Sequence, residues 1–319
     1  AARERVEPGI CHSFMASLAS ALNYIEGELD PVCLMGTSGF AFRIFMNSSL
    51  CPSAMSMFDF SAVLPEAIEQ AGYQCTYVSR MWDEKEWEKQ RQTEAHTAIV
   101  QGIDQGRPAV VWDVAECEWG LIVGYDEKRK SYKTLTHAGQ PGKLKYSRLG
   151  QNGIDILSVA IPSQANERCR EEIMQRSLEM AVDHAEQREY IDRPDYQNGL
   201  AGFDMWAEVM DAGAKLAQAG KLTRCPPDVL RFAEYYAACA YGARCYARDY
   251  LNTIAHGDEH LKKAVACYVE VARSLRPVWE CFAEKQWPEA DMFLKLGQDI
   301  RNAKEAEEMG IEFIKEYLD

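Results

Sequence analysis

Cys11, His12 and Ser13 stand directly ahead of an apolar-periodic run, Phe14, Met15, Leu18, Ala21, Leu22 and Tyr24. Spacings of three and four put those side chains on one helix face, and Ser13 has the side chain of an N-cap, so a helix is expected to begin at a thiol. Backbone N–H groups and the positive end of the helix dipole favour an anion there, and a cysteine so placed can hold a thiolate near neutral pH. A thiolate nucleophile works with a base that takes its proton and a third group that orients the base. The same position also suits a buried cysteine that behaves as a small hydrophobe.

Other groupings carry less. His256 and His260 stand four apart, a zinc-like spacing, but Gly257 between them argues for an interhelical turn, no third ligand lies near, and no metal or other cofactor is expected. Gly36-Thr37-Ser38-Gly39 lacks the Lys-Ser/Thr that completes a phosphate cradle and reads as a turn. Asp113, Glu116 and Glu118 read equally as paired acids or as alternating exposure on a strand rim. His96 and His184 read as surface. Tyr235, Tyr236, Tyr241, Tyr246 and Tyr250, at helical spacings among alanines, read as packing between helices.

Cys11-His12-Ser13, Ser17-Leu18, Leu22-Asn23-Tyr24 and Val123-Gly124-Tyr125-Asp126 together resemble the papain-fold cysteine peptidases that process double-glycine leader peptides. The whole plan, with Gly199-Leu200-Ala201-Gly202-Phe203-Asp204-Met205-Trp206 in its helical half, resembles proteins bearing the N-terminal domain of the butirosin-biosynthesis acyltransferase. The resemblance implies a papain-like domain and thiol-dependent acyl chemistry, either amide cleavage or transfer of an acyl group from a carrier-protein thioester to an amine. It places base and orienter on two adjacent strands far downstream, here Glu118 to Asp126 and Tyr132 to His137. Two positions depart from the pattern: Glu118 stands where the peptidases carry His, and an ungapped Ser-Leu alignment sets Ser13, not Cys11, on their nucleophile.

An exchange of roles preserves catalysis, with Cys11 as nucleophile, His137 as base and Glu118 as orienter; His12 is the alternative base, although its adjacency to Cys11 turns the two side chains apart. Counting symmetrically about a turn near Glu127 or Lys128 sets Glu118 opposite His137, and a slip of one residue would separate them. Without the exchange the protein is inactive, and the cleft between its two domains holds a small ligand or peptide against Trp112, Trp119, Trp206 and Ser38.

The elements that must position these residues fall into two regions meeting near Ile161-Pro162-Ser163. Residues 1–163 are expected to form an α+β domain, a nucleophile helix packed on an antiparallel sheet. Strands are expected in Gln74 to Val78, Ala109 to Asp113, Trp119 to Val123, Ser131 to Leu135 and within Asp155 to Ala160, with helices over Ala62 to Ala71 and Asp83 to Gln105. Residues 164–319 read as an all-α bundle of roughly five helices, with breaks at Arg193-Pro194, Gly220, Cys225-Pro226-Pro227, His256-Gly257-Asp258 and Trp287-Pro288, and Pro277 kinking or ending its helix.

Composition bounds the partners. The net charge of −14 disfavours nucleic acid and anionic membrane surfaces. No apolar run reaches membrane-spanning length. Eleven scattered cysteines without a CxxC pair suit reduced thiols and a cytoplasmic location. The expected partner is a small-molecule or peptide substrate, and a homodimer is compatible with the chain.

Overall fold

The periodicity after residue 13 closes as helix α1 (Ser13–Glu26), which buries Phe14, Met15, Leu18, Ala21 and Leu22 and stops at Gly27, whose φ of 93° is open to glycine. The computed structural model describes residues 7–115, 117–165, 169–188, 195–221, 227–284 and 287–319. After α1 come α2 (Pro31–Thr37), α3 (Phe60–Gln70), α4 (Glu88–Asp104), α5 (Arg170–Ala185), α6 (Gly199–Gln218), α7 (Pro227–Ile254), α8 (Glu259–Ala283) and α9 (Ala290–Leu318). The strands are β1 (Phe45–Asn47), β2 (Tyr73–Arg80), β3 (Ala109–Ala115), β4 (Glu118–Asp126), β5 (Ser131–Thr136), β6 (Pro141–Lys145), β7 (Leu157–Ala165) and β8 (Tyr196–Asn198). The protein is thus α+β, with an antiparallel sheet and a helical C-terminal region.

The division into units differs from the expected cut at 163. A sheet unit comprises His12–Leu34 and Asp59–Cys169, and a helical unit comprises Met35–Phe58 and Arg170–Asp319 together with the chain up to Cys11. The reason lies in what residues 35–58 bury. Ile44, Met46, Leu50, Ala54 and Met55 join the core made by Phe203, Trp206, Tyr236, Val271 and Ile300.

In the sheet unit, six antiparallel strands run in the order β2-β7-β3-β4-β5-β6. Alternation along β4 decides the faces. Ile122 packs into a core with Ala95 and Ile99 of α4, while Trp119, three residues earlier, meets Phe14 of α1 edge-on at 5.2 Å. Arg80 is buried and paired with Asp155 at 2.6 Å, and it also donates to the Gly150 carbonyl at 3.0 Å. The polar strand β6 and the three-residue strands β1 and β8 were outside the expected set; β6 has four exposed residues of five, so no alternation marks it.

In the helical unit, α8 packs on α7 and α9, and α6 packs on α9. Arg244 of α7 is fully buried and pairs with Glu307 of α9 at 2.6 Å. Its guanidinium also donates to the carbonyls of Arg43 and Phe42, at 2.7 and 3.0 Å, so one cation satisfies two elements. His184, expected at the surface, is 1% exposed, and its Nε2 accepts the Ile44 N–H at 2.9 Å. His96 is likewise half-buried, with Nδ1 on the Tyr132 hydroxyl at 2.6 Å. Tyr236, Tyr241 and Tyr250 are core residues, as their spacing predicts. Pro277 does not end its helix, which runs through it to Ala283. The breaks at Gly220, His256-Gly257-Asp258 and Trp287-Pro288 are present, whereas Arg193-Pro194 and Cys225-Pro226 lie outside the described residues. Among the described residues no helix is long and apolar enough to cross a membrane.

Candidate functional site

Helix α1 starts at Ser13 with His12 as its N-cap, and no side chain caps it. The expected cap, Ser13, is differently engaged. Its hydroxyl donates to Glu118 Oε2 at 2.5 Å, and the residue is 1% exposed. Glu118 is the first residue of β4, paired with Ala115 across the tight β3–β4 turn. The two positions that the resemblance equates with nucleophile and base therefore meet, but as a hydroxyl and a carboxylate.

Around this pair the sheet unit is aromatic. Trp119 touches Phe60 and Trp112 with ring centroids 5.2 Å apart in each case, and Phe60 meets Trp112 at 5.7 Å. Trp112 and Trp119 are both buried and do not present open faces to a ligand. One helical turn after Ser13, the buried Ser17 hydroxyl has no hydrogen-bond partner among the described residues, and neither has the Trp112 indole N–H.

Asp113 holds the turn that presents Glu118. It sits at φ 56°, a left-handed conformation that costs a non-glycine residue of order 1 kcal/mol. Its carboxylate accepts the N–H groups of Cys117 at 3.1 Å, Gly153 at 2.5 Å and Ile154 at 2.9 Å. Three backbone donors on a buried carboxylate make Asp113 a clamp, not half of an acid pair; Glu116 lies outside the described residues.

His137 stands beyond the last residue of β5, exposed in the turn that leads to β6. The register pairs Gly120 with Thr136 and Leu121 with Leu135, and its continuation sets His137 opposite Trp119, one position off Glu118. The four-residue loop 127–130 and an irregularity between Ile122 and Gly124 account for the shift. The expected Glu118–His137 pair is replaced by Glu118–Ser13.

The remaining candidates lie in the helical unit. Cys11 is half-buried; its Sγ donates to the Gly9 carbonyl at 3.4 Å, and a hydrogen bond from Cys239 holds its thiol below the ordinary cysteine range against the opposing effect of burial. It packs against the helical core that contains Cys239. Ser38 is fully buried and serves its own turn, with Oγ donating to the Met35 carbonyl at 3.3 Å and accepting the Phe40 N–H at 3.5 Å. Trp206 is a core residue at 1% exposure. His256 is exposed in the turn between α7 and α8, and His260 pairs with Glu316 at 2.9 Å.

Residue spacing gave no sign of the helical unit's cavity. It measures about 420 Å³ and is lined by Met205, Val209 and Met210 of α6, Phe282 of α8, Trp287 and Phe293, with Ser48, Ser49 and Glu208 as its polar groups. Its walls come from α6, α7, α8, α9, residues 48–50 and Trp287, none of which marks a cavity when read alone. The volume and the largely apolar lining are those of a small-molecule site. Neither a protein-family model nor a curated protein matches the chain.

Proposed function

We propose that this chain is a catalytically silent papain-like protein that binds a small, largely apolar ligand in the cavity of its helical unit without breaking a bond. The observation that carries this reading is the Ser13–Glu118 hydrogen bond. Where the resemblance calls for a thiol and an imidazole, the chain offers a buried hydroxyl and a carboxylate. A carboxylate's ordinary pKa lies about two units below that of imidazole, which costs about 3 kcal/mol in proton acceptance, and a serine hydroxyl is far harder to ionise than a thiol. Cys11 does not complete the Ser13–Glu118 pair, because it belongs to the helical unit and packs against that unit's core.

The ligand class follows from the cavity. Met205 and Met210 adapt to irregular shapes, Phe282, Phe293 and Trp287 offer aromatic surface, and Glu208 with the two serines sets one polar edge. An aromatic or short aliphatic molecule bearing a hydroxyl or amine fits that set, whereas an anion would meet Glu208.

Two measurements test the reading together. An active-site-directed fluorophosphonate and a p-nitrophenyl acyl ester should leave Ser13 unmodified on peptide mass mapping; stoichiometric modification of Ser13 overturns the silent assignment. The neutral environment-sensitive dye N-phenyl-1-naphthylamine should bind the native protein at one site, and Val209→Trp, which fills the cavity, should abolish that binding. Unaltered dye binding in that variant overturns the assignment of the cavity.

A further inference from the structure

The chain from Glu7 to Cys11 runs along one face of α7. Glu7 forms two ion-pair contacts with Arg248, each 3.2 Å. A Cβ on Gly242 would come within 3.2 Å of the Gly9 carbonyl and 3.3 Å of Pro8, tighter than an ordinary contact, so the segment lies close against α7 at that point. Cys11 packs against the helical core that contains Cys239, whose side chain holds the Cys11 thiol below the ordinary cysteine range. The lengths agree: four extended residues span about 13 Å, and the nine-residue step from Cys239 to Arg248 rises about 13.5 Å along a helix. The segment is thus fixed at three points, the last of which is a pair of thiols.

We infer that Cys11 and Cys239 form a peroxide-responsive dithiol, with half-buried Cys11 as the thiol that is oxidised first and buried Cys239 as the thiol that resolves it. Cys11 thiolate attacks one oxygen of the peroxide; an S–O bond forms, the O–O bond breaks, and hydroxide leaves, giving a sulfenic acid. Cys239 sulfur then attacks Cys11 sulfur; the S–S bond forms, the S–O bond breaks, and the Cys239 proton leaves with the hydroxyl as water. Two thiols lose two electrons in all, and hydrogen peroxide is reduced to two waters. The product fastens the segment covalently to α7, two residues before Ser13.

Other thiols of the chain are chemically different. Cys245, also on α7, is pushed up to about 12 by burial, and Cys75 in the sheet unit is pushed up to about 12 for the same reason. At Cys245 burial outweighs the hydrogen bond from Tyr241, whereas at Cys11 the hydrogen bond from Cys239 outweighs burial, which favours the nucleophilic thiolate.

The test treats the reduced full chain with one equivalent of hydrogen peroxide at neutral pH and maps the peptides without reduction. A cross-linked pair joining Cys11 to Cys239, two hydrogens lighter than the sum of its parts and reversed by dithiothreitol, is the expected product. Cys11 should be consumed about tenfold or more faster than Cys245. In Cys239→Ala, and separately in Cys239→Ser so that a packing defect in either cannot decide the result, the sulfenic acid should persist on Cys11 and be trapped by dimedone. Oxidation that starts at another cysteine, a cross-link from Cys11 to a different partner, or no trapped sulfenic acid in either variant overturns the inference.

Discussion

In the sheet unit a hydroxyl and a carboxylate meet at the start of α1, next to buried tryptophans and beside a turn clamped by Asp113. In the helical unit two thiols meet on the flank of α7, beside an apolar core and near a chain segment held by an ion pair. The first pair has the placement expected of a catalytic centre and lacks its chemistry; the second has reactive chemistry and lacks the placement. A nucleophile at a helix N-terminus depends on its partner's ability to take a proton, so geometry alone does not confer the activity. Cys11 and Ser13 are two residues apart in the chain and belong to different units, and a three-residue motif that reads as one site divides between two environments.

The largest effect that separates the units is expected from Arg244→Ala. Removal of the guanidinium leaves Glu307 buried without its ion-pair partner and the Phe42 and Arg43 carbonyls without their donors, a loss of about 3–5 kcal/mol. Urea unfolding followed by circular dichroism should show the helical signal lost at a lower midpoint, with the sheet unit's buried tryptophan fluorescence less affected. Loss of both signals together would make the two units one cooperative system.

Asp113→Ala is the counterpart in the sheet unit. Three backbone N–H groups lose their acceptor, which costs about 2–3 kcal/mol, and the turn that presents Glu118 loosens. Hydrogen exchange should accelerate at Cys117, Gly153 and Ile154; unchanged protection there would show that Asp113 is not the clamp.

That clamp was not legible in the sequence, and the contrast with what was legible is physical. The apolar stripe of α1 and the cores of β3, β4 and β5 follow local periods of 3.6 and 2 and appear where expected. The register of β4 on β5 does not follow from a period, because an irregularity between Ile122 and Gly124 displaces every pair beyond it by one residue. His137 was lost from the candidate site because the loop centres between Lys128 and Arg129, one residue later than the symmetric count, and the irregularity restores only half of the resulting two-residue offset. Ser13 and Glu118 were both named as candidates, but the resemblance, not their spacing, drew attention to them. Cys11 and Cys239, like Arg244 and Glu307, are joined only by the tertiary path of the chain. Buried polar groups such as His184 and Arg244 look like surface residues when only their neighbours in sequence are read.

Alkaline pH should weaken both units by a smaller amount. Cys75 and Cys245 are each held protonated by burial, up to about 12, whereas an unfolded thiol ionises from about pH 8.5. Above that pH the unfolded chain binds fewer protons than the native one, so stability falls as pH rises. The expected slope is at most about 1.4 kcal/mol per pH unit for each thiol, flattening near pH 12. Cys75→Ala and Cys245→Ala should each remove their share, measured by denaturation midpoints between pH 8 and 10; a slope unaffected by both would trace it to other groups.

Ser13→Ala should have the smallest effect, about 1 kcal/mol or less, because the half-buried Glu118 carboxylate can turn to water. A loss several times larger would mean that the hydrogen bond organises the whole start of α1.

The most direct test of the central claim is the rate at which iodoacetamide alkylates Cys11 at neutral pH, compared among the native chain, His137→Ala and Cys239→Ala. If the thiol owes its state to the helical unit, His137→Ala leaves the rate unchanged and Cys239→Ala slows it, since the donor that holds the thiolate is gone. A rate that falls in His137→Ala and holds in Cys239→Ala would restore a Cys11–His137 catalytic pair and contradict the account.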